Sequence, residues 1–123
     1  MTYKGQQLAA LVKMGVSMAA ADGRFAEEEK IAIVMELAAF GVTPNQAEGL
    51  LKAAQSMDTS EAFSILSSMN TEQKKHATGY LAAIMASDGD IADSEVKMWQ
   101  LICTLCCFPS MNIGEALHFW TNN

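Results

Sequence analysis

Apolar residues recur along this chain at intervals of three and four, the spacing that puts them on one face of an α-helix. A first helix is predicted over about residues 3–21, with Leu8, Leu11, Val12, Gly15, Met18 and Ala19 in one stripe. A second, over about 27–40, carries Ile31, Val34, Leu37 and Ala38 on one face, widened by Ile33 and Phe40, and stops at Gly41. Thr43-Pro44-Asn45-Gln46 then reads as a Thr N-cap, a proline in the first turn and a reciprocal Gln, which opens a third helix. That helix runs to about Ser56 through Ala47, Leu50, Leu51 and Ala54. Asp58 and Glu61 offer a second capping box to a short fourth helix, about 59–68, burying Ala62, Phe63 and Leu66, with Met69 beyond. The fifth starts at Asn70 or Thr71 and buries Ala77, Tyr80, Leu81, Ile84 and Met85. The sixth, about 93–107, packs Met98, Trp99, Leu101, Ile102, Leu105 and Cys106, with Glu95 at the edge of that face. The seventh begins near Ser110 or Asn112 and buries Ile113, Ala116, Leu117 and Trp120. No strand pattern interrupts the series.

One segment of this pattern comes twice. Met18 to Glu29 and Ile84 to Glu95 align at a spacing of 66 residues, so that Ala20, Asp22, Gly23, Ala26 and Glu29 recur as Ala86, Asp88, Gly89, Ala92 and Glu95. Each copy reads as a helix end, a tight turn and a new helix. Asp-Gly stops the first helix, because glycine readily takes the left-handed conformation there, and acidic residues open the next, where the helix dipole favours negative charge. Continuing the stripes of the first and fifth helices lands on Asp22 and Asp88, so both carboxylates are expected on the core side. The expected architecture is a single all-α domain over residues 1–123. Two three-helix halves, about 3–56 and 70–120, would be related by duplication about a pseudo-twofold axis, with the short fourth helix as bridge.

Composition narrows the function classes. Half of the residues are hydrophobic and only two are proline, which suits a packed core rather than disorder. The net charge of −6 argues against nucleic-acid binding, which needs clustered Lys and Arg, and permits a cation or a basic partner. Residues 8–21 resemble a signal peptide in part, but Lys13 breaks the apolar run and the helical phase continues to Asp22. No apolar stretch approaches the roughly 20 residues that span a membrane. Three cysteines, all between Cys103 and Cys107, form no disulfide framework, so a reducing cytoplasm is the expected location.

The duplicated segment resembles the TerB-like domains, named after a bacterial tellurite-resistance protein and also found in a membrane-anchored DnaJ-type co-chaperone. Their signature is a helix ending Ala-x-Ala-Asp-Gly, an apolar residue two positions on and a Glu seven after the Asp, in both halves. Here Ala19 to Phe25 with Glu29, and Ala86 to Ile91 with Glu95, carry it. Ala26 and Ala92 depart from the pattern, since relatives often place a capping Ser, Thr or Asp there. The resemblance covers nearly the whole chain and implies an all-α bacterial domain of the stress-response type, often proposed to bind a divalent metal through these acidic residues.

The candidate metal ligands are Asp22, Glu29, Asp88 and Glu95. Hard cations such as Ca²⁺ or Mg²⁺ want oxygen donors, and a partly buried carboxylate pair would be stabilised by one. A structural role explains the same spacing: each Glu stands near the third position of its helix, where it can cap its own N-terminus, and each Asp can accept from turn amides. An EF-hand is excluded, because Asp88 to Glu95 is too short for the calcium loop. Cys103-x-x-Cys106-Cys107 lacks a second ligand pair for zinc and sits at a helix C-terminus, where the dipole opposes a thiolate; buried core thiols are expected. Glu115-x-x-His118 is half of a di-iron motif with no second copy, and no nucleophile stands with a base. The sequence thus points to a non-enzymatic protein. Its expected partner is an unidentified protein, through a Met-rich apolar surface, and a homodimer through a self-complementary apolar face is the other open association.

Overall fold

The computed structural model describes residues 3–21, 23, 27–87 and 89–122. Its helices are α1 (Gly5–Ala19), α2 (Glu27–Leu37), α3 (Pro44–Ser56), α4 (Thr59–Ser67), α5 (Thr71–Met85), α6 (Asp93–Leu105) and α7 (Ile113–Asn122), with a 3-10 turn over Ala38–Phe40. The protein is all-α, and the described residues contain no strand.

The boundaries follow local chemistry. At α1, the Gln7 side chain accepts from the Lys4 amide at 2.8 Å. At α3, Thr43 and Gln46 exchange the two bonds of the capping box, 3.3 and 2.9 Å. Asn70 and Gln73 do the same at α5, 2.8 and 3.0 Å. Asn112 and Glu115 do so at α7, 2.8 and 2.9 Å, which selects Asn112 over Ser110 as its cap. The expected box at α4 does not form: Asp58 is the N-cap residue, but its side chain makes no capping bond. Helix α2 tightens into the 3-10 turn and ends on Gly41, at φ 82°. The amides of Gly41 and Val42 then satisfy the carbonyls of Ala38 and Leu37 at 3.0 and 3.3 Å.

Helices α1 and α5 are the spine. Tyr3 donates to the Gln73 carbonyl at 2.7 Å, and Gln73 Nε2 lies 3.5 Å from Gln7 Oε1. Two turns further on, a Cβ on Gly15 would stand 3.1 Å from Ile84 Cδ1 and 3.9 Å from Leu81 Cδ2. Early residues meet early and late meet late, so the two helices run side by side in the same direction. Both Gln7–Gln73 and Gly15–Leu81 are separated by the spacing of the repeated segment. Around this spine, α1 touches α2, α3 and α6, while α5 touches α6, α7 and α2. Helix α4 packs on α1 and reaches α6.

The core holds the predicted stripes of α1 and α5: Leu11, Val12, Met18 and Ala19 from the first, and Ala77, Tyr80, Leu81, Ile84 and Met85 from the second. Two predicted faces hold in part: Ile33 and Leu37 of α2 and Trp99, Ile102 and Cys106 of α6 are buried as expected, while Ile31, Leu101 and Leu105 are not. Ile31 of α2 is 51% exposed; the buried stripe there is Glu29, Ile33 and Leu37, with Ala32. Leu101 and Leu105 of α6 are each 50% exposed; its buried stripe is Glu95, Trp99, Ile102 and Cys106. Both helices are apolar on more than one side, so periodicity alone leaves their rotation open. The contacts with α1 and α5 fix it.

Candidate functional site

The described residues leaving α1 and α5 toward the two acidic turns are built alike. Leaving α1, the amides of Ala20, Ala21 and Gly23 donate to the carbonyls of Val16, Met18 and Ala20 at 3.0, 3.1 and 3.0 Å. Leaving α5, those of Ala86, Ser87 and Gly89 donate to Ala82, Ile84 and Ala86 at 3.0, 3.2 and 3.1 Å. Gly23 and Gly89 take φ of 85° and 80°, conformations that an L side chain would strain. The second turn adds one bond, from the Ser87 hydroxyl to the Ile84 carbonyl at 2.7 Å, where the first has Ala21. Because α1 and α5 run parallel, both turns leave the same end of the spine.

Of the four predicted ligands, Asp22 and Asp88 lie outside the described residues. So does their predicted orientation toward the core. Glu29 and Glu95 are described, in the first turns of α2 and α6, and both are buried, at 5% and 3% exposure. Sequence reasoning placed Glu95 at the edge of its helix face; it belongs instead to the buried stripe, one turn ahead of Trp99. Its Oε1 accepts from the Ala92 amide at 3.4 Å. This is half of a capping box; Ala92 has no side-chain oxygen to return the other bond. Carboxylates held this far from water are costly unless hydrogen bonds, a helix N-terminus or a cation offsets the loss of solvation. Among the described residues, no group of three or more His, Cys, Asp or Glu side chains is arranged to hold a metal ion.

The other candidates separate cleanly. Cys106 is buried and Cys103 half-buried, as expected of core thiols, but Cys107 is exposed. Helix α6 ends at Leu105, and Cys107 takes a left-handed φ of 57°, which turns the chain so that the Phe108 amide caps the Cys103 carbonyl at 2.9 Å. Burial, reinforced by the neighbouring Cys106, pushes the Cys103 thiol up to about 12. Burial, with Cys107 beside it, pushes the Cys106 thiol up to about 11, against a lowering by Lys74. These are inert thiols, not nucleophiles. Glu115 is occupied with capping α7, and His118 stands exposed on that helix beside Asn122. Lys75 pairs with Glu72 at 3.8 Å, and the His76 ring packs edge-on against Phe119.

Sequence reasoning passed over a further cluster. The Trp120 indole donates to Glu36 Oε2 at 2.6 Å, joining α7 to α2. Around this bond Phe40, Tyr80 and Trp120 contact one another at ring centroid distances of 5.3–5.9 Å, and Tyr3 packs on Phe40 at 4.7 Å. Burial, with the Glu36 carboxylate nearby, raises the Tyr80 phenol far above its ordinary value, so it stays protonated. Its hydroxyl finds no hydrogen-bond acceptor among the described residues. The signal available in the sequence was Gly79, a glycine inside a helix pattern, where a Cβ would stand 2.9 Å from Trp120 Cβ.

Three comparisons bear on identity. The family model described as tellurite resistance protein TerB matches residues 7–116. A crystal structure of a protein of unknown function from Porphyromonas gingivalis W83 superposes with a TM-score of 0.90 at 43% sequence identity, covering 99% of this chain and 92% of that one. No curated protein matches.

Proposed function

The chain belongs to the tellurite resistance protein TerB family, and on that premise we propose that it is a non-enzymatic accessory protein of bacterial stress response. It works in the cytoplasm, holds a divalent cation at the paired acidic turns and acts on a protein partner. No helix among the described residues is long and apolar enough to cross a membrane. The ligands are Asp22 and Glu29 from one turn and Asp88 and Glu95 from the other. All four offer carboxylate oxygens and none offers sulfur or imidazole, a donor set for a hard cation such as Ca²⁺ or Mg²⁺ rather than for zinc.

The observation that carries this reading is the pair of buried glutamates, Glu29 and Glu95, at matching places beside turns that leave the same end of two parallel helices. A cation there would offset two buried charges at once. Calorimetric titration of metal-free protein with Ca²⁺, Mg²⁺, Mn²⁺ and Zn²⁺ tests it. Binding tighter than millimolar is expected, and its loss in Asp22→Ala/Asp88→Ala. No such binding, or binding unchanged in that variant, overturns it.

A second reading makes the acidic turns structural and the domain a protein-interaction module without metal. The Glu95 bond to the Ala92 amide favours it, because that bond gives the carboxylate a role without any ion. On this reading Glu95→Gln, which keeps the acceptor and removes the charge, leaves the thermal midpoint unchanged with or without divalent cations.

A further inference from the structure

Helix α1 carries a single charged residue, Lys13, and that residue is half-buried. It lines a groove of about 310 Å³ where α1 meets α2 and α3. Val16, Leu51 and Ala54 make the lining mostly apolar, and Lys30 of α2 reaches the same space. Charge here runs against the composition. The chain has 14 acidic and 8 basic residues, yet the described residues lining the groove include both of these lysines and no acid. Lys13 takes part in no ion pair among the described residues. Two acids stand close by along the helices, and each already has a cation near it. Glu27 meets Lys30 at 3.6 Å in an exposed pair, a kind that contributes little and that an anion can displace. Glu48, one turn before Leu51, is followed four residues on by Lys52, the spacing at which opposite charges on a helix offset each other. The Ser17 hydroxyl is committed to the Lys13 carbonyl at 2.9 Å, which leaves the lysine ammoniums as the cationic donors of the groove.

We propose that this groove binds a small amphipathic anion, a carboxylate carrying one short acyl chain. The apolar lining takes the hydrocarbon, and the carboxylate meets Lys13 and Lys30. A half-buried ammonium sits in a lower dielectric than open solvent, so a carboxylate beside it gains more than it would at a fully exposed lysine. Size selects the same occupant. The volume falls at the small end of ligand pockets, which run from about 300 to 1,000 Å³. A single turn of helix, about 10 Å across and about 5.4 Å long, would overfill it, so a docked helix does not fit. None of the lining residues belongs to the proposed cation ligands, and the acidic turns have the opposite charge preference.

Titration of the isotope-labelled whole chain with octanoate, followed by amide chemical shifts, tests the proposal. Octanoate should move the amides of Val16, Ser17 and Leu51 and saturate near about 1 mM. Octanol, with the same tail and no charge, and acetate, with the same charge and no tail, should each bind about tenfold more weakly or worse. Lys13→Met keeps an apolar stem and removes the charge. It should weaken octanoate about tenfold and leave octanol unchanged, a pattern that a loosened fold would not give. Leu51→Trp fills the groove and should abolish the binding of both. Circular dichroism of each variant establishes that it folds, and should Lys13→Met not fold, Lys30→Gln carries the same expectation. Octanoate that does not saturate, that binds no better than octanol, or that is unaffected by both lysine variants overturns the proposal. So does capture by phosphatidylglycerol vesicles without octanoate binding, which would make the groove a membrane contact. All titrations use metal-free protein, so none of these outcomes depends on metal binding.

Discussion

Helices α3 and α7 dock on the spine by different rules, and the difference comes down to two residue pairs. At the 66-residue spacing Lys13 of α1 corresponds to Gly79 of α5, and, counting from the N-caps Thr43 and Asn112, Leu51 of α3 takes the place of Trp120 of α7. At Gly79 the missing side chain lets α7 approach until backbone meets backbone: a Cβ there would be 2.9 Å from Trp120 Cβ and 3.1 Å from the Ala116 carbonyl oxygen. The indole then reaches across to Glu36. Beside Lys13 the contact between α1 and α3 is less close. A groove of about 310 Å³ remains, lined by Lys13, Val16, Ser17, Leu51 and Ala54 among others. Helices α7 and α3 thus differ in how closely they meet the spine. Helix α7 is locked onto α5 by an aromatic cluster, while α1, beside α3, also packs against α4.

The comparison can be broken most severely at its aromatic end. Trp120→Ala removes the cluster's centre and the bond to Glu36, and should cost about 3 kcal/mol in denaturant unfolding. Leu51→Ala, beside the open groove, should cost about 1 kcal/mol. Equal losses would mean that α3 and α7 dock alike. Valine at the paired spine positions gives the next largest contrast. Gly79→Val must push α7 away and should cost about 2 kcal/mol, while Lys13→Val only lines an existing groove and should stay within about 0.5 kcal/mol of wild type. A Gly79→Val protein as stable as the parent would refute the close approach.

The turns, by contrast, should respond identically. Gly23→Ala and Gly89→Ala meet nothing within 4 Å, so each should cost only the backbone strain of a left-handed residue, about 1 kcal/mol. Unequal midpoints would show that the two turns are not equivalent in energy. The smallest effect concerns pH. The Cys103 thiol titrates near 9.0 when unfolded and near 12 when folded, so its contribution is complete below pH 9 and is lost as pH rises toward 12. Stability should therefore decline above pH 9. Cys103→Ala should flatten that decline, measured by urea midpoints between pH 8 and the upper limit of folding.

Much of this molecule is written locally. Thr43 with Gln46, Asn70 with Gln73, and the glycines at 23, 41 and 89 act within four residues of themselves, so the sequence places helix ends to within a residue or two. The identity of the acidic turns is equally legible, because a motif repeated at fixed spacing needs no tertiary knowledge to be seen. Rotation of a helix about its own axis is different. In α2 and α6 apolar residues occupy more than one face, and burying any of them lowers the free energy, so the sequence is nearly indifferent among several stripes. Only the fit against α1 and α5 chose Glu29, Ile33 and Leu37 over Ile31, and Glu95, Trp99 and Ile102 over Leu101 and Leu105. That choice put two glutamates into the interior beside the spine and left two leucines facing outward. Helices, caps and the repeated turn were determined residue by residue along the chain. The burial of Glu29 and Glu95 and the exposure of Leu101 and Leu105 were decided by packing, because an apolar face has no preferred partner until the neighbouring helices supply its shape.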